Sequence, residues 1–148
     1  MRSEELYQHA VSLLSRKDYS NNGMRRALHH LSDDGMTVEE VIVRLGDNNY
    51  LNDQRMAENM VSRLLRKQYG PLRIRLELRQ KGIEQDVADK AISDSGVDWF
   101  QMASDSRTKK FGDEQPADVN EKIRQMRYLQ SRGFTMDMIN EAMTSQAD

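Results

Sequence analysis

Basic side chains are concentrated in one short part of this sequence. Residues 61–82 hold seven Lys and Arg residues against a single acid, Glu77, and so carry a local charge of +6, although the whole chain carries −2. Clustered guanidinium and ammonium groups bind phosphate or acidic protein surfaces. The segment is therefore a candidate binding site, and its basic residues are Arg63, Arg66, Lys67, Arg73, Arg75, Arg79 and Lys81.

Residues suited to catalysis or metal binding are missing or badly spaced. There is no cysteine, which excludes disulfides and thiolate metal sites. The three histidines, His9, His29 and His30, lack the spacing of metal ligands and are expected at the surface. No phosphate loop, nucleophile elbow, zinc signature or dinucleotide fingerprint occurs. We therefore predict a protein that is not an enzyme and needs no cofactor or metal.

The composition favours short helices. Apolar residues make up 37% of the chain, aromatic residues are few, and only two prolines and eight glycines interrupt it. No apolar run approaches the roughly 18 residues of a membrane span, and the first residues are too polar and acidic for a signal peptide. We expect a cytoplasmic, all-α protein without membrane contact.

A glycine-centred pattern occurs three times and predicts a repeat. A leucine precedes each glycine by four residues, and apolar residues follow it by six and ten, as on one buried helix face. The glycines suit the left-handed position that ends a helix. We predict nine helices as three tandem three-helix repeats in an elongated, curved array, with repeats at 1–52, 53–97 and 98–148. The glycines are Gly35, Gly82 and Gly133, and the leucines are Leu31, Leu78 and Leu129.

Each predicted repeat starts with a longer helix, at about residues 4–17, 53–68 and 98–111. Capping boxes are expected where Thr37 precedes Glu40 and where Asp118 precedes Glu121, and Asp53 is expected to cap the fourth helix. Pro71 suits a first helical position.

Residues 72–79 alternate leucine or isoleucine with charged residues, which is typical of a strand. We predict a helix instead, because Pro71 is a good helix start and Gly82 a good stop. One apolar pair, Ile74 with Leu78 or Leu72 with Leu76, then faces the repeat core. The other either packs on a neighbouring helix or stays exposed as a partner surface flanked by arginines.

Several strings resemble the RecX regulatory proteins of bacteria. They are Asn-Asn-Tyr-Leu-Asn-Asp-Gln-Arg-Met-Ala at 48–57, the segment 66–83 with Tyr69-Gly70-Pro71, Asp-Tyr-Ser at 18–20 with Met24-Arg25-Arg26 and Leu28, and Arg127-Tyr128-Leu129 with Arg132-Gly133-Phe134. The resemblance spans essentially the whole chain and implies a fold of three three-helix repeats, in agreement with the repeat count.

The chain departs from the family pattern at a few positions. Asn49 and Gln68 stand where the family usually has glycine, Asn52 replaces an aspartate, and Met56 replaces a phenylalanine. Extra residues, His-His-Leu-Ser-Asp-Asp, lie between Leu28 and Gly35.

The resemblance implies a modulator of the RecA recombinase. Such proteins bind RecA and its filament on single-stranded DNA, and they restrain filament growth, ATP hydrolysis, strand exchange and coprotease activity. We expect a monomer, and direct contact with DNA is left open. The predicted contact residues are Arg66, Lys67, Tyr69, Arg73, Arg75, Arg79 and Lys81, with a second basic patch of Lys109, Lys110, Arg124, Arg127 and Arg132.

Two alternatives stay open at this point. Any one of these basic residues can be solvated surface or part of an internal pair, such as Glu77 with Lys81. The protein can also be a helical DNA-binding module that acts without RecA. Few aromatic residues are available for base stacking, since only Tyr69 lies in the basic segment.

Overall fold

The computed structural model describes residues 2–144, which form nine α-helices and no strand. This confirms the predicted all-α class and the helix at residues 72–79. The helices are α1 (Ser3–Leu14), α2 (Asn21–His29), α3 (Gly35–Asp47), α4 (Asp53–Arg66), α5 (Pro71–Gln80), α6 (Gln85–Asp94), α7 (Trp99–Phe111), α8 (Val119–Ser131) and α9 (Met136–Thr144).

The chain divides into two compact units. One runs to Asn59 and includes Leu78–Ala88, and the other comprises Met60–Glu77 and continues from Asp89. The predicted repeat boundaries after residues 52 and 97 stay a prediction, and residues 145–148 of the third predicted repeat lie outside the described part of the chain.

In the first unit, α1, α2 and α3 pack against one another. Each helix presents one apolar face to a common core, as its 3.6-residue period requires. The buried residues of this core are Leu6, Tyr7, Ala10, Met24, Leu28, Val38, Val41, Ile42, Leu45 and Leu51.

The second unit contains an equivalent bundle, in which α7, α8 and α9 are in mutual contact. Its core is formed by Ala103, Leu129, Phe134, Ile139, Ala142 and Met143. The middle helices bury apolar rows as well, which are Met56, Met60 and Leu64 of α4, Ile74 and Leu78 of α5, and Ala88 and Ile92 of α6.

The predicted role of Gly35 is wrong. Gly35 is the first residue of α3 and not a helix stop, because Asp34 is the N-cap and its side chain accepts hydrogen bonds from Met36 N and Thr37 N. The predicted box of Thr37 with Glu40 is therefore also wrong. Leu31 is 36% exposed. Leu28 fills the core of this bundle, and α2 already ends at His29.

The cap of α4 is Asn52, not the predicted Asp53. Asn52 Oδ1 accepts from Arg55 N at 3.0 Å, whereas Asp53 Oδ1 accepts from Asn21 N at 2.8 Å and so belongs to the start of α2. The predicted cap at Asp118 is confirmed, because its Oδ1 accepts from Glu121 N at 2.8 Å.

Left-handed residues end several helices as predicted. Gly82 and Gly133 have φ of +86° and +96°, and in each turn the next amide donates to a carbonyl five residues earlier. Asn49 and Gln68, which replace family glycines, adopt φ of 63° and 60°. The turn at Gln68 explains why α4 stops at Arg66 and not at the predicted residue 68.

Candidate functional site

Backbone contacts hold the start of α5 against the turn between α8 and α9. Gly70 N donates to the carbonyl oxygen of Arg132 at 2.7 Å, and Leu72 N donates to that of Gly133 at 3.0 Å. A Cβ on Gly70 would lie 2.5 Å from the Gly133 oxygen, and a Cβ on Gly133 would lie 2.5 Å from Arg73 N. Only glycine fits at both positions. This contact is called the Gly70–Gly133 joint below.

The same arrangement occurs in the first unit. Ser20, the N-cap of α2, donates its hydroxyl to the carbonyl oxygen of Lys81. Asn22 Nδ2 donates to the carbonyl oxygen of Gly82 at 3.1 Å, and a Cβ on Gly82 would lie 2.7 Å from Ser20 Oγ. In this Ser20–Gly82 joint, as in the other, the start of a repeat's second helix meets the turn before the third helix of the next predicted repeat.

Tyr69 contacts two arginines that belong to different predicted patches. The guanidinium carbons of Arg73 and Arg132 lie 4.3 Å and 4.2 Å from the centroid of its ring. Arg132 also donates to the carbonyl oxygen of Lys67, and Arg73 Nη1 donates to that of Ser131 at 3.4 Å. Both arginines therefore support the Gly70–Gly133 joint.

Alternating aromatic and basic side chains continue from Arg132 along α8 and α7. The Tyr128 ring centroid lies 5.9 Å from the Arg132 guanidinium and 5.4 Å from Lys110 Nζ. Phe111 packs edge-to-face on Tyr128, with ring centroids 5.3 Å apart, and the Arg124 guanidinium lies 5.0 Å from the Phe111 ring. This row of contacts thus connects Tyr69 of the first predicted patch with Lys110, Arg124 and Arg132 of the second.

The outer side of α5 combines exposed leucines with arginines. Leu72 and Leu76 are 49% and 39% exposed, so this pair stays at the surface, while Ile74 and Leu78 are fully buried. Arginines at 75 and 79 complete the i, i+3, i+4, i+7 spacing of a single helix stripe. The α5 outer face is defined as Leu72, Arg75, Leu76 and Arg79.

The remaining predicted contact residues differ in whether their side chains are already engaged in contacts within the chain. Arg75 Nε lies 3.0 Å from Asp89 Oδ1, and Arg66 Nη1 donates to a serine hydroxyl on its own helix. Glu77 lies 3.9 Å from Arg73 Nε, so the suggested internal pair with Lys81 is replaced by one with Arg73. The predicted contact residues whose exposed side chains make no ion pair, hydrogen bond or aromatic contact within residues 2–144 are Lys67, Arg79, Lys81, Lys109 and Arg127.

Sequence reasoning missed Arg107, which is completely buried. Its Nε donates to Gln125 Oε1 at 2.8 Å, and its Nη2 donates to the Glu114 carbonyl oxygen at 2.9 Å. The arginine therefore ties the chain between α7 and α8 to both helices. Its position four residues after the buried Ala103, on the core face of α7, was the available signal.

The carboxyl group of Asp53 lies in a partly buried polar cluster of the first unit. Burial raises its pKa above the ordinary value, and the negative charge of Glu84 adds to this, although the hydrogen bond from Asn21 N and the charge of Arg25 oppose it. A raised pKa in the folded state means that protonation stabilises the fold, and that this contribution is lost as pH rises through the folded pKa.

We therefore expect Asp53→Asn to be more stable than the unchanged protein at pH 7. Asparagine keeps the oxygen that accepts from Asn21 N and removes the desolvated charge. The gain should shrink as pH falls toward about 4, the ordinary aspartate pKa, because the native aspartate then takes up its proton. Urea unfolding of both proteins between pH 4 and 7 measures it, with the exposed Asp33→Asn as control. A gain that stays constant across this range would contradict the assignment.

Residues 2–144 contain no group of His, Asp and Glu arranged to hold a metal ion. None of their helices is long and apolar enough to cross a membrane.

Comparison with known proteins identifies the family. A family model described as the second three-helix domain of RecX matches residues 52–92, and one described as its third three-helix domain matches residues 97–143. The regulatory protein RecX of Salmonella typhimurium is 33% identical, over 97% of this chain and 92% of that protein. The chain belongs to the RecX family.

Other RecX proteins agree with this assignment. Regulatory protein RecX of Escherichia coli O9:H4 is also 33% identical over the same shares of both chains. The crystal structure of RecX from Lactobacillus salivarius superposes with a TM-score of 0.81 at 21% identity, covering 97% of this chain and 96% of that one. A second RecX crystal structure gives a TM-score of 0.77 at 19% identity, covering 97% and 71%. The tandem three-helix fold is thus that of RecX.

Proposed function

We propose that this protein is a cytoplasmic, monomeric regulator that binds RecA and its filament on single-stranded DNA. It restrains filament growth, ATP hydrolysis, strand exchange and coprotease activity, and it acts through binding without a catalytic step. Membership of a family of regulatory proteins supports the proposal. The observation that carries it is the α5 outer face, where two exposed leucines lie among arginines in an acidic chain.

The chemistry of this face suits an acidic protein surface. Leucine side chains exposed on a rigid helix gain free energy when a partner removes them from water, at about 25 cal/mol per Å². Flanking arginines bind carboxylates with two parallel hydrogen bonds and speed encounter with negatively charged surfaces. Arg79 is available without rearrangement, whereas Arg75 must exchange Asp89 for a partner carboxylate.

The internal contacts narrow the set of contact residues. Arg73 and Arg132 hold the Gly70–Gly133 joint, so changing either one would alter the fold as well as binding. Of the predicted set we therefore assign direct partner contact to Arg75 and Arg79 together with the two leucines. Arg66, Lys67 and Lys81 provide longer-range attraction.

The alternative of a DNA-binding module that acts without RecA is less well supported. Single-strand binding proteins stack bases on free aromatic rings. The ring of Tyr69 is already in contact with two guanidinium groups, and Tyr128 is in contact with Phe111, Lys110 and Arg132. This row offers positive charge to phosphate but no free stacking surface at Tyr69.

The test compares two charge-reversal variants in a RecA DNA-dependent ATPase assay. Substoichiometric intact protein should inhibit, and Arg75→Glu/Arg79→Glu should need at least about tenfold more protein for the same inhibition, as expected when contact residues are lost. Leu72→Ser/Leu76→Ser should show the same loss without a change of charge. The matched control is Arg16→Glu/Lys122→Glu, which changes two exposed basic residues outside residues 61–82 and outside the second predicted patch.

Each result has a defined meaning. If both α5 variants inhibit normally while folded, the α5 outer face is not the contact surface. If the intact protein leaves RecA unaffected but binds DNA alone at physiological salt, the regulator proposal is wrong.

A further inference from the structure

The helix α3 carries a second apolar stripe that faces away from the core. Val38, Val41 and Leu45 of this helix are fully buried, yet Met36 and Val43 are 77% and 60% exposed. Both exposed residues lie in an open groove of about 860 Å³. They are seven residues apart, so they stand two helical turns apart on the same side of α3.

Carboxylates surround these two apolar side chains. The other side chains in the groove come from Asp33, Asp34, Glu39 and Glu40, and no basic residue lines it. Two of these four carboxylates already have partners within the chain. Asp34 caps α3, while Glu39 is paired with Arg25, whose Nε and Nη2 lie 2.5 Å and 3.1 Å from its carboxylate oxygens.

Asp33 and Glu40 supply the unpaired negative charge of this groove. Both are exposed and make no ion pair within residues 2–144. A ligand that covers Met36 and Val43 must therefore bring positive charge to these two carboxylates. Nucleic acid and acidic protein surfaces are repelled here, which is the reverse of the chemistry of the α5 outer face.

We propose that the outer face of α3, defined as Asp33, Met36, Glu40 and Val43, binds a basic amphipathic helix of a partner protein. The two apolar residues accept leucine-like side chains spaced by one or two helical turns, and methionine adapts its shape to them. Lysine or arginine on the flanks of the bound helix meets Asp33 and Glu40. This surface shares no residue with the proposed RecA contact, and the proposal does not depend on that contact.

The probe for this proposal is a synthetic peptide of about fifteen residues, with leucine at i, i+3, i+4 and i+7 and lysine at the other positions. We expect it to bind the full chain and to shift the NMR signal of the Met36 methyl group. Two control peptides separate the causes: one has the same composition in an order without helical period, and the other replaces lysine with glutamate. Neither should bind measurably.

Variants test where the peptide binds. Met36→Ser/Val43→Ser and Glu40→Lys should each weaken binding by at least about tenfold. Val119→Ser/Ile123→Ser, which changes two exposed apolar residues of α8, should leave it unchanged. All five positions are exposed, so the variants should fold, and circular dichroism checks this. RecA inhibition should stay normal in the α3 variants.

Three results would overturn the proposal. The first is equal binding of the aperiodic peptide, which indicates non-specific charge attraction. The second is unchanged peptide affinity in the α3 variants. The third is concentration-dependent dimerisation that Met36→Ser/Val43→Ser abolishes, since the occupant would then be a second copy of this chain.

Discussion

Gly133→Ala should lose at least about 4 kcal/mol of unfolding free energy, which places it among the most damaging single substitutions. Two costs add at this position. Its φ of +96° is unfavourable for any residue with a side chain, and the new Cβ would lie 2.5 Å from Arg73 N. The backbone cannot move aside without breaking the hydrogen bond that Leu72 N donates to Gly133. Urea denaturation followed by circular dichroism measures the loss.

Gly96→Ala is the matched control for this prediction. Gly96 also has a positive φ, of +65°, but a Cβ there would meet nothing within 4 Å. It should therefore cost only the conformational strain, about 1 kcal/mol. Gly70→Ala should resemble Gly133→Ala, although its own φ is not positive, because its Cβ would lie 2.5 Å from the Gly133 oxygen. Equal effects at Gly96 and Gly133 would show that the close approach is unimportant.

Arg107→Ala should cost about 2–5 kcal/mol, the range for truncating a large buried side chain. The substitution leaves a cavity in the α7–α9 bundle, and it removes the donor to Gln125 Oε1 in an environment that water does not reach. Arg127→Ala, an exposed arginine on α8, should change stability by less than about 0.5 kcal/mol. Chemical denaturation of the two variants makes the comparison.

A double variant separates loss of the buried polar contact from loss of volume. Arg107→Met/Gln125→Leu replaces both partners of this hydrogen bond with apolar side chains of similar size. The Gln125 oxygen that Arg107→Ala leaves without a donor is then absent as well. It should be more stable than Arg107→Ala. If the double variant is the less stable of the two, the cavity and the unpartnered Gln125 oxygen do not explain the cost of Arg107→Ala.

The predicted helices succeeded where the information was local. The apolar spacing after each glycine identified the buried faces of α6 and α9, and the helix stops at Gly82 and Gly133 are confirmed by their positive φ. After Gly35 the apolar positions are also confirmed, since Val41 and Leu45 are buried, but the predicted helix stop is wrong there because Asp34 offers a side-chain oxygen to the first free amides of α3. A residue that caps the start of a helix can stand directly before a glycine, as Asp34 does before Gly35. The spacing of apolar residues does not show whether such a glycine ends one helix or begins the next.

The candidate site was only partly predictable, because its internal contacts join distant parts of the chain. Counting charge found the basic cluster and Tyr69. It could not reveal that Arg73 and Arg132, which are far apart in sequence, both contact that ring. The sequence does not distinguish an arginine that stays in solvent from one that donates to a backbone carbonyl of a distant segment. Only the fold shows which carbonyl oxygen lies within reach of each guanidinium group.

The two joints have a consequence for which parts of the chain can vary in length. The turn between α5 and α6 and the turn between α8 and α9 each have four residues and a positive-φ glycine, and both are held by the start of another repeat's helix. The turn between α2 and α3 has five residues and takes part in no such joint within residues 2–144. Insertions and substitutions should therefore be tolerated at this first turn, while the other two keep their length. The acidic groove beside α3 begins at that unconstrained turn. New binding surfaces can thus arise there without disturbing the fold.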